Sequence, residues 1–390
     1  MDTHTKQRIA FVTAADLSGT TGDSVATKEI VGALADRSDI EVELFSQTPT
    51  KELPTEIGAA VQRAVPLPKK PVDVATWRTL VWHGRFQATL ARQLGQAIGD
   101  RRFDLVIARV NASMIVPPLL AGATRTPYSI LVRGMVSRNI SFGRIADRIV
   151  CLNSRLADNA YVAYQEVKET VDRCRPSTKP PSTVVPNAVD PEMFYPVKRT
   201  EQRDALGISS DEFVVGFVGT LQKRHRTEML LRGAAEADRD VSILIVGDGP
   251  ERSRLEAVAN RLDIGETIQF VGAVAHSEVN RYISACDICY GVVDPERPSN
   301  PIKLYEYLAC ERPVITSRTD ELEFIQRENF GATLDTLSPE SIKTGIEQLG
   351  ALSATERQEM GHRARNYIQN NHTWTAFSYI VCPNESNNDT

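Results

Sequence analysis

No stretch of this chain approaches the roughly 20 consecutive apolar residues that a bilayer-spanning helix needs. The opening MDTHTKQRIAFVTA holds one short apolar run and lacks the profile of a secretory signal. Basic excess is missing too. The chain has 45 Lys and Arg against 50 Asp and Glu, and the net charge of −5 gives nucleic acid no electrostatic footprint. The six cysteines, at 151, 174, 286, 289, 310 and 382, show no spaced framework, which argues against a disulfide scaffold and fits a reducing compartment. The single CxxC, Cys286 to Cys289, runs from a helix end into an apolar strand, and no second CxxC completes a zinc site. Six histidines form no HExxH or similar ligand pattern, so neither a metal nor a cofactor is expected. A complete GxGxxG is also absent. Arg252 stands where the third glycine after Gly247 and Gly249 belongs, and Gly19-Thr20-Thr21-Gly22 is equally incomplete, which disfavours a nicotinamide-dependent dehydrogenase. These absences predict a cytoplasmic protein.

What is present describes an ordinary globular chain of 390 residues, 42% hydrophobic and 24% charged, long enough for two domains. Short β-type runs at 8–14, 41–46, 104–109, 128–132 and 148–152 alternate with helical patterns at 24–37 and 77–98. A polar, Pro-containing stretch at 167–181 reads as a linker. Strand-like runs then resume at 213–219, 242–247, 267–271, 288–293 and 314–317. The pattern predicts an α/β chain of two Rossmann-like domains, residues 1–175 and 182–365. Any ligand is expected in the cleft between them, at the carboxyl ends of the strands. A helical tail, 366–390, carries Trp374, Phe377 and Tyr379 and is expected to pack back on the first domain.

Three segments could carry chemistry. In NPIKLYEYLACERPV, residues 300–314, Asn300 suits an N-cap and Pro301 the first helical position, while Pro313 ends the helix. Such a helix start offers free N–H groups to a phosphate, and Glu306 one turn in can accept hydrogen bonds from sugar hydroxyls. A capped surface helix with one solvated Glu fits the same residues. Lys223, Arg224, His225 and Arg226 follow a strand ending in Gly219-Thr220, where they could neutralise a diphosphate or form a solvated basic loop. Between 63 and 102 the chain carries eight Lys or Arg and two acids. Arg78, Arg85 and Arg92 recur every seven residues around Trp82, a face that could lie on anionic lipid or simply be solvated.

In order and spacing, the chain resembles the retaining glycosyltransferases of family 4, which have the GT-B fold. The likeness runs from the Gly22 turn through IADRIVCLNSRLADN (145–159), VVPNAVDPEMFYP (184–196) and VVGFVGTL (214–221). It continues from ILIVGDGP at 243 to SACDI at 288 and ends at the 300–314 helix. The resemblance implies metal-independent transfer of a sugar from a nucleotide-sugar donor to a glycan or lipid-linked acceptor. It also fits a peripheral position at the inner face of the plasma membrane. By resemblance, Glu306 matches the carboxylate on the ribose hydroxyls, and Lys303 with Asn300, Pro301 and Ile302 matches the segment on the diphosphate and sugar. Val271, Gly272 and Val274 match the strand end facing the nucleobase, and Gly22 the turn that approaches the donor phosphates. Thr220, Lys223, Arg224 and His225 occupy the phosphate-binding loop, so catalysis is expected from His225, Lys303 and Glu306. Arg109 and Arg133 are expected on the acceptor side. The chain departs from the family pattern at Pro298, where a first Glu is common, and at Thr220 and His225, where Arg and Lys are common. Those departures leave a catalytically silent binding or scaffold subunit open, and a nucleotide-sugar epimerase is a second alternative.

Overall fold

A strand covered by helices on both faces has no polar side to show, so it reads as an unbroken apolar run. IAFV, LVIA and ILIV are such runs, and each lies buried in a strand of a parallel sheet in the computed structural model. The structure describes residues 6–383 except 20, 49–51, 54–56, 59–60, 62, 71–75, 101–102, 112–113 and 135–142. It divides into two units, Met1–Pro186 with Trp374–Thr390, and Asn187–Thr373.

In the first unit, β1 (Gln7–Val12), β2 (Ile40–Ser46), β3 (Arg63–Pro66), β4 (Leu105–Arg109), β5 (Tyr128–Val132), β6 (Asn159–Val162) and β7 (Thr183–Val184) pair in parallel in the order β3-β2-β1-β4-β5-β6-β7. Helices α1 (Gly22–Ala35), α2 (Thr76–Asp100), α3 (Val116–Thr124), α4 (Gly143–Leu156) and α5 (Gln165–Asp172) connect them. The strand expected at 148–152 is part of α4. Its buried positions, Ala146, Ile149, Val150, Asn153 and Ser154, with Ala157 just past its end, recur at helical spacing, and the true strand follows at β6. Nor is 167–181 an open linker, because α5 occupies its first part and buries Val167 and Val171. Cys151 and Cys174 form a disulfide between α4 and the turn after α5, a pair that the reading of the cysteines as fitting a reducing compartment did not anticipate. Cys286, Cys289, Cys310 and Cys382 are free and buried.

The second unit repeats the design with β8 (Val214–Val218), β9 (Ser242–Val246), β10 (Ile268–Gly272), β11 (Ile288–Tyr290), β12 (Val314–Ser317) and β13 (Gly331–Leu334), in the order β10-β9-β8-β11-β12-β13. Its helices are α6 (Arg199–Leu206), α7 (Thr227–Ala235), α8 (Arg252–Arg261), α9 (Val279–Ala285), α10 (Ile302–Ala309), α11 (Glu323–Arg327), α12 (Pro339–Gly350) and α13 (Ala354–Asn371). The strand order reverses between β8 and β11, and the crevice outside the carboxyl ends at such a reversal is where open parallel sheets bind ligands. The last helix, α14 (Trp374–Val381), rejoins the first unit and packs on α1. Arg37 donates to the carbonyls of Ser378 and Cys382 there, and its guanidinium lies 4.0 Å from the Tyr379 ring centre. Residues 366–371 of the expected tail instead complete α13 in the second unit. Among the described residues, no helix is long and apolar enough to cross a membrane.

Candidate active site

At the carboxyl end of β8 the chain turns through Gly219, whose φ of +139° is closed to other residue types. A Cβ at that position would lie 2.7 Å from Lys303 Nζ, so the glycine is what lets the amine reach the strand end. Gly247 and Gly249 do the same for backbone: added Cβ atoms would meet Gly219 O at 2.1 Å and Leu221 O at 2.5 Å. The two glycine turns are therefore pressed together, with Leu221 N donating to Asp248 O at 2.9 Å.

Lys303 projects from the first turn of α10. That helix begins at Ile302, after Pro301, which provides no side-chain cap. The expectation of Asn300 as the N-cap is corrected. Its Oδ1 accepts from Asn187 N at 2.7 Å and its Nδ2 donates to Tyr305 Oη at 2.9 Å, so it ties the approach to α10 into the core. Tyr307 anchors the next turn, accepting from Val218 N at 2.8 Å and donating to Val218 O at 3.2 Å. Every residue from Lys303 to Ala309 is buried, which rules out a surface helix with a solvated Glu306.

Lys303 is 9% exposed, and its amine lies 4.0 Å from the Phe217 ring centre with no hydrogen-bond partner among the described residues. Burial pushes its pKa down to about 7; Glu306 opposes the shift and Arg224 adds to it. His225, in the 3₁₀ turn Lys223–His225, sits with its ring 5.9 Å from Phe217. Burial, then repulsion from Lys303 and Arg224, lowers its pKa to about 2, so its imidazole is neutral in the unliganded protein. The cationic cluster read from the sequence is therefore divided. Arg226 turns away to pair with Asp294 at 2.9 Å and Glu296 at 3.6 Å, while Lys223 and Arg224 are exposed. The positive charges of Lys303 and Arg224 keep the His225 imidazole from being protonated, and Glu306 is the acid that offsets burial at Lys303.

One turn along α10, Glu306 is 5% exposed and its Oε1 lies 3.0 Å from His276 Nε2. His276 comes from the 3₁₀ turn after β10, and its ring packs 5.1 Å from Phe194. Sequence reasoning missed His276, because 30 residues separate it from Glu306 and nothing in its neighbourhood marks it. Val271 and Val274 are half-buried at the end of β10, and Gly272 has a φ of +88°. Thr220 is half-buried just beyond Gly219.

Residues 198–367, which hold all of these groups except Asn187 and Phe194, match the family Glycosyl transferases group 1. The Anabaena protein HepE, solved in complex with UDP and glucose, shares the fold with a TM-score of 0.75 at 15% identity, over 96% of this chain and 98% of that one. D-inositol 3-phosphate glycosyltransferase 1 of Catenulispora acidiphila is 26% identical over 332 residues, 76% of this chain and 74% of that protein. The chain is a GT-B glycosyltransferase. Identity to the D-inositol 3-phosphate glycosyltransferase of Mycobacterium sp. (strain KMS) reaches 33% over 159 residues, 39% of this glycosyltransferase and 35% of that relative.

The remaining expected residues lie in the first unit of the glycosyltransferase. Gly22 opens α1 behind the Thr21 cap, with nothing within 4 Å of a Cβ built on it. Arg109, at the end of β4, is buried and bonded to Asp23 and Thr27 of α1, which makes it a tether between strand and helix. Arg133 donates to Val185 O at 2.5 Å, and its guanidinium lies 5.1 Å from the Phe377 ring centre. Arg78, Arg85 and Arg92 are exposed on α2. Trp82 does not join them. It is 5% exposed, packs on Phe86 at 5.2 Å and donates to Pro68 O at 2.8 Å, so Trp82 is not an anchor embedded in the basic face.

Proposed function

We propose that the second unit binds a nucleotide-sugar and that the enzyme is a retaining, metal-independent transferase of family 4. The observation that carries this reading is the buried, unpartnered Lys303 amine beside neutral His225, with the Glu306 carboxylate one helical turn away. A diphosphate arriving at Gly219 and the start of α10 would meet free N–H groups and Lys303, and its charge would restore the proton that burial disfavours. Glu306, displaced from phosphate by its own charge, is suited to ribose hydroxyls. Retaining transfer without a covalent nucleophile needs little else. The leaving diphosphate must be held and its growing charge stabilised, with an acceptor hydroxyl presented on the same face of the sugar.

UDP is the first nucleotide to test, since HepE is solved with UDP and with UDP-glucose. The D-inositol 3-phosphate relatives add a phosphorylated cyclitol to the glycan and lipid-linked acceptors to be assayed. A cytoplasmic enzyme held on anionic lipid by Arg78, Arg85 and Arg92 is a further part of this proposal. Binding to anionic but not neutral vesicles, lost on a triple Arg→Glu change, supports it.

The test of the donor site is a thermal-shift screen with UDP, GDP, ADP and TDP, followed by calorimetry on Glu306→Ala. One diphosphate should raise the unfolding temperature, and the substitution should weaken its binding by about 1–3 kcal/mol, the cost of a lost charged acceptor. Unchanged affinity removes Glu306 from the site.

A further inference from the structure

The reading of Glu306 as the ribose carboxylate leaves its partner unexplained. A carboxylate buried in a helix has two oxygens and a rotatable terminal torsion, so it recognises a diol only if something fixes its plane. His276 Nε2 stands 3.0 Å from Oε1, and no hydrogen bond reaches Oε2 from the described residues. The histidine is itself constrained, since its ring packs on Phe194, which is fully buried, and its backbone lies in the tight turn Ala275–Val279. Facing a carboxylate, Nε2 carries the proton and donates it.

We propose that His276 is a positioning residue for the donor. By holding Oε1, it sets the Glu306 carboxylate so that Oε2 accepts from a ribose hydroxyl, and it thereby makes the enzyme select ribonucleotides over 2′-deoxyribonucleotides. The inference rests on the ribose role of Glu306. It adds that selectivity depends on a side chain that touches neither phosphate nor sugar ring, supplied by the loop after β10 rather than by α10.

Calorimetric affinities for UDP and 2′-deoxy-UDP, GDP and 2′-deoxy-GDP, and ADP and 2′-deoxy-ADP test this on wild type, His276→Phe and His276→Gln. Phenylalanine keeps the packing on Phe194 without a donor, and glutamine returns an N–H near the Nε2 position. For the base that binds, wild type should favour the ribonucleotide by on the order of tenfold, one charged hydrogen bond. His276→Phe should reduce the ratio to about threefold or less, and His276→Gln should recover most of it. A wild-type preference that survives intact in a folded His276→Phe protein overturns the role of His276 alone. A wild-type ratio near one, or no binding by any pair, overturns the ribose reading of Glu306 and the proposal with it.

Discussion

At the scale of the residue, the telling group is Lys303, an amine held where its charge is costly. With its pKa lowered to about 7, a growing fraction of the free protein carries it neutral as pH rises above that value. A bound diphosphate favours the charged form, so binding above pH 7 must take up a proton. We predict that nucleotide affinity falls as pH rises from 7 to 9, by up to tenfold per unit. Calorimetry in buffers of different ionisation enthalpy should show proton uptake on binding. Lys303→Met, which removes the titrating group but not the nucleotide's own, should flatten the profile; an unchanged slope would show that the phosphate does not reach the amine. Much of this environment was legible in the sequence, because NPIKLYEY, GFVGTLQKRH and the glycine turns sit together in the fold as their order implied. Two things were not legible. His276 meets Glu306 through a tertiary contact that no local pattern records, and Trp82 went to the apolar stripe because a heptad of arginines fixes their own face but not that of the residue between them.

The elements were read best where the pattern was long and worst where it was short. RIVCL has the composition of a strand, and five residues are too few to separate a 2-residue from a 3.6-residue period. Only the flanking Ala146, Asn153, Ser154 and Ala157 reveal that α4 is helical. The short strands β3, β7 and β13 went unread for the same reason, since edge strands of two to four residues carry little signal. The α4 misreading also hid the pairing of Cys151 on that helix with Cys174 beyond α5. Denatured but unreduced protein should therefore titrate four thiols per chain, those of the free cysteines 286, 289, 310 and 382. Cys151→Ser should lower stability by about 3 kcal/mol, the loop-closure value for a separation of 23 residues. Six reactive thiols would mean that the pair is open in solution.

For the whole molecule, acid should act first on the second unit. His372 is enclosed by Tyr305, Phe324 and Tyr367, with ring centres 4.9–5.8 Å away, and burial lowers its pKa to about 4. His225 is lowered further, to about 2. Each therefore binds fewer protons folded than unfolded between its folded pKa and about 6.5. Stability contributed by either group is present above 6.5 and is lost as pH falls, at about 1.4 kcal/mol per unit per group. Urea midpoints at pH 6.5 and 5 should show the loss, and His372→Phe, which keeps an aromatic ring in place, should remove about half of it. An unaltered slope would show that His372 titrates as in the unfolded chain. The first unit depends instead on the last helix. Trp374→Ala, which opens a cavity beneath α14, should cost about 3–5 kcal/mol there.

That return of the chain sets an order of events during synthesis. Residues 187–373 are an insertion within the first unit, and the two ends of the insertion meet where Val189 bridges to Thr373 and its N–H donates to His372 O at 3.0 Å. The later segment is complete once Thr373 clears the ribosome, while the earlier one still lacks α14. N-terminal domains generally fold first as they emerge. Here the second unit is positioned to finish folding ahead of the unit whose synthesis began before it, and the α1 surface must wait, uncovered, until α14 is made.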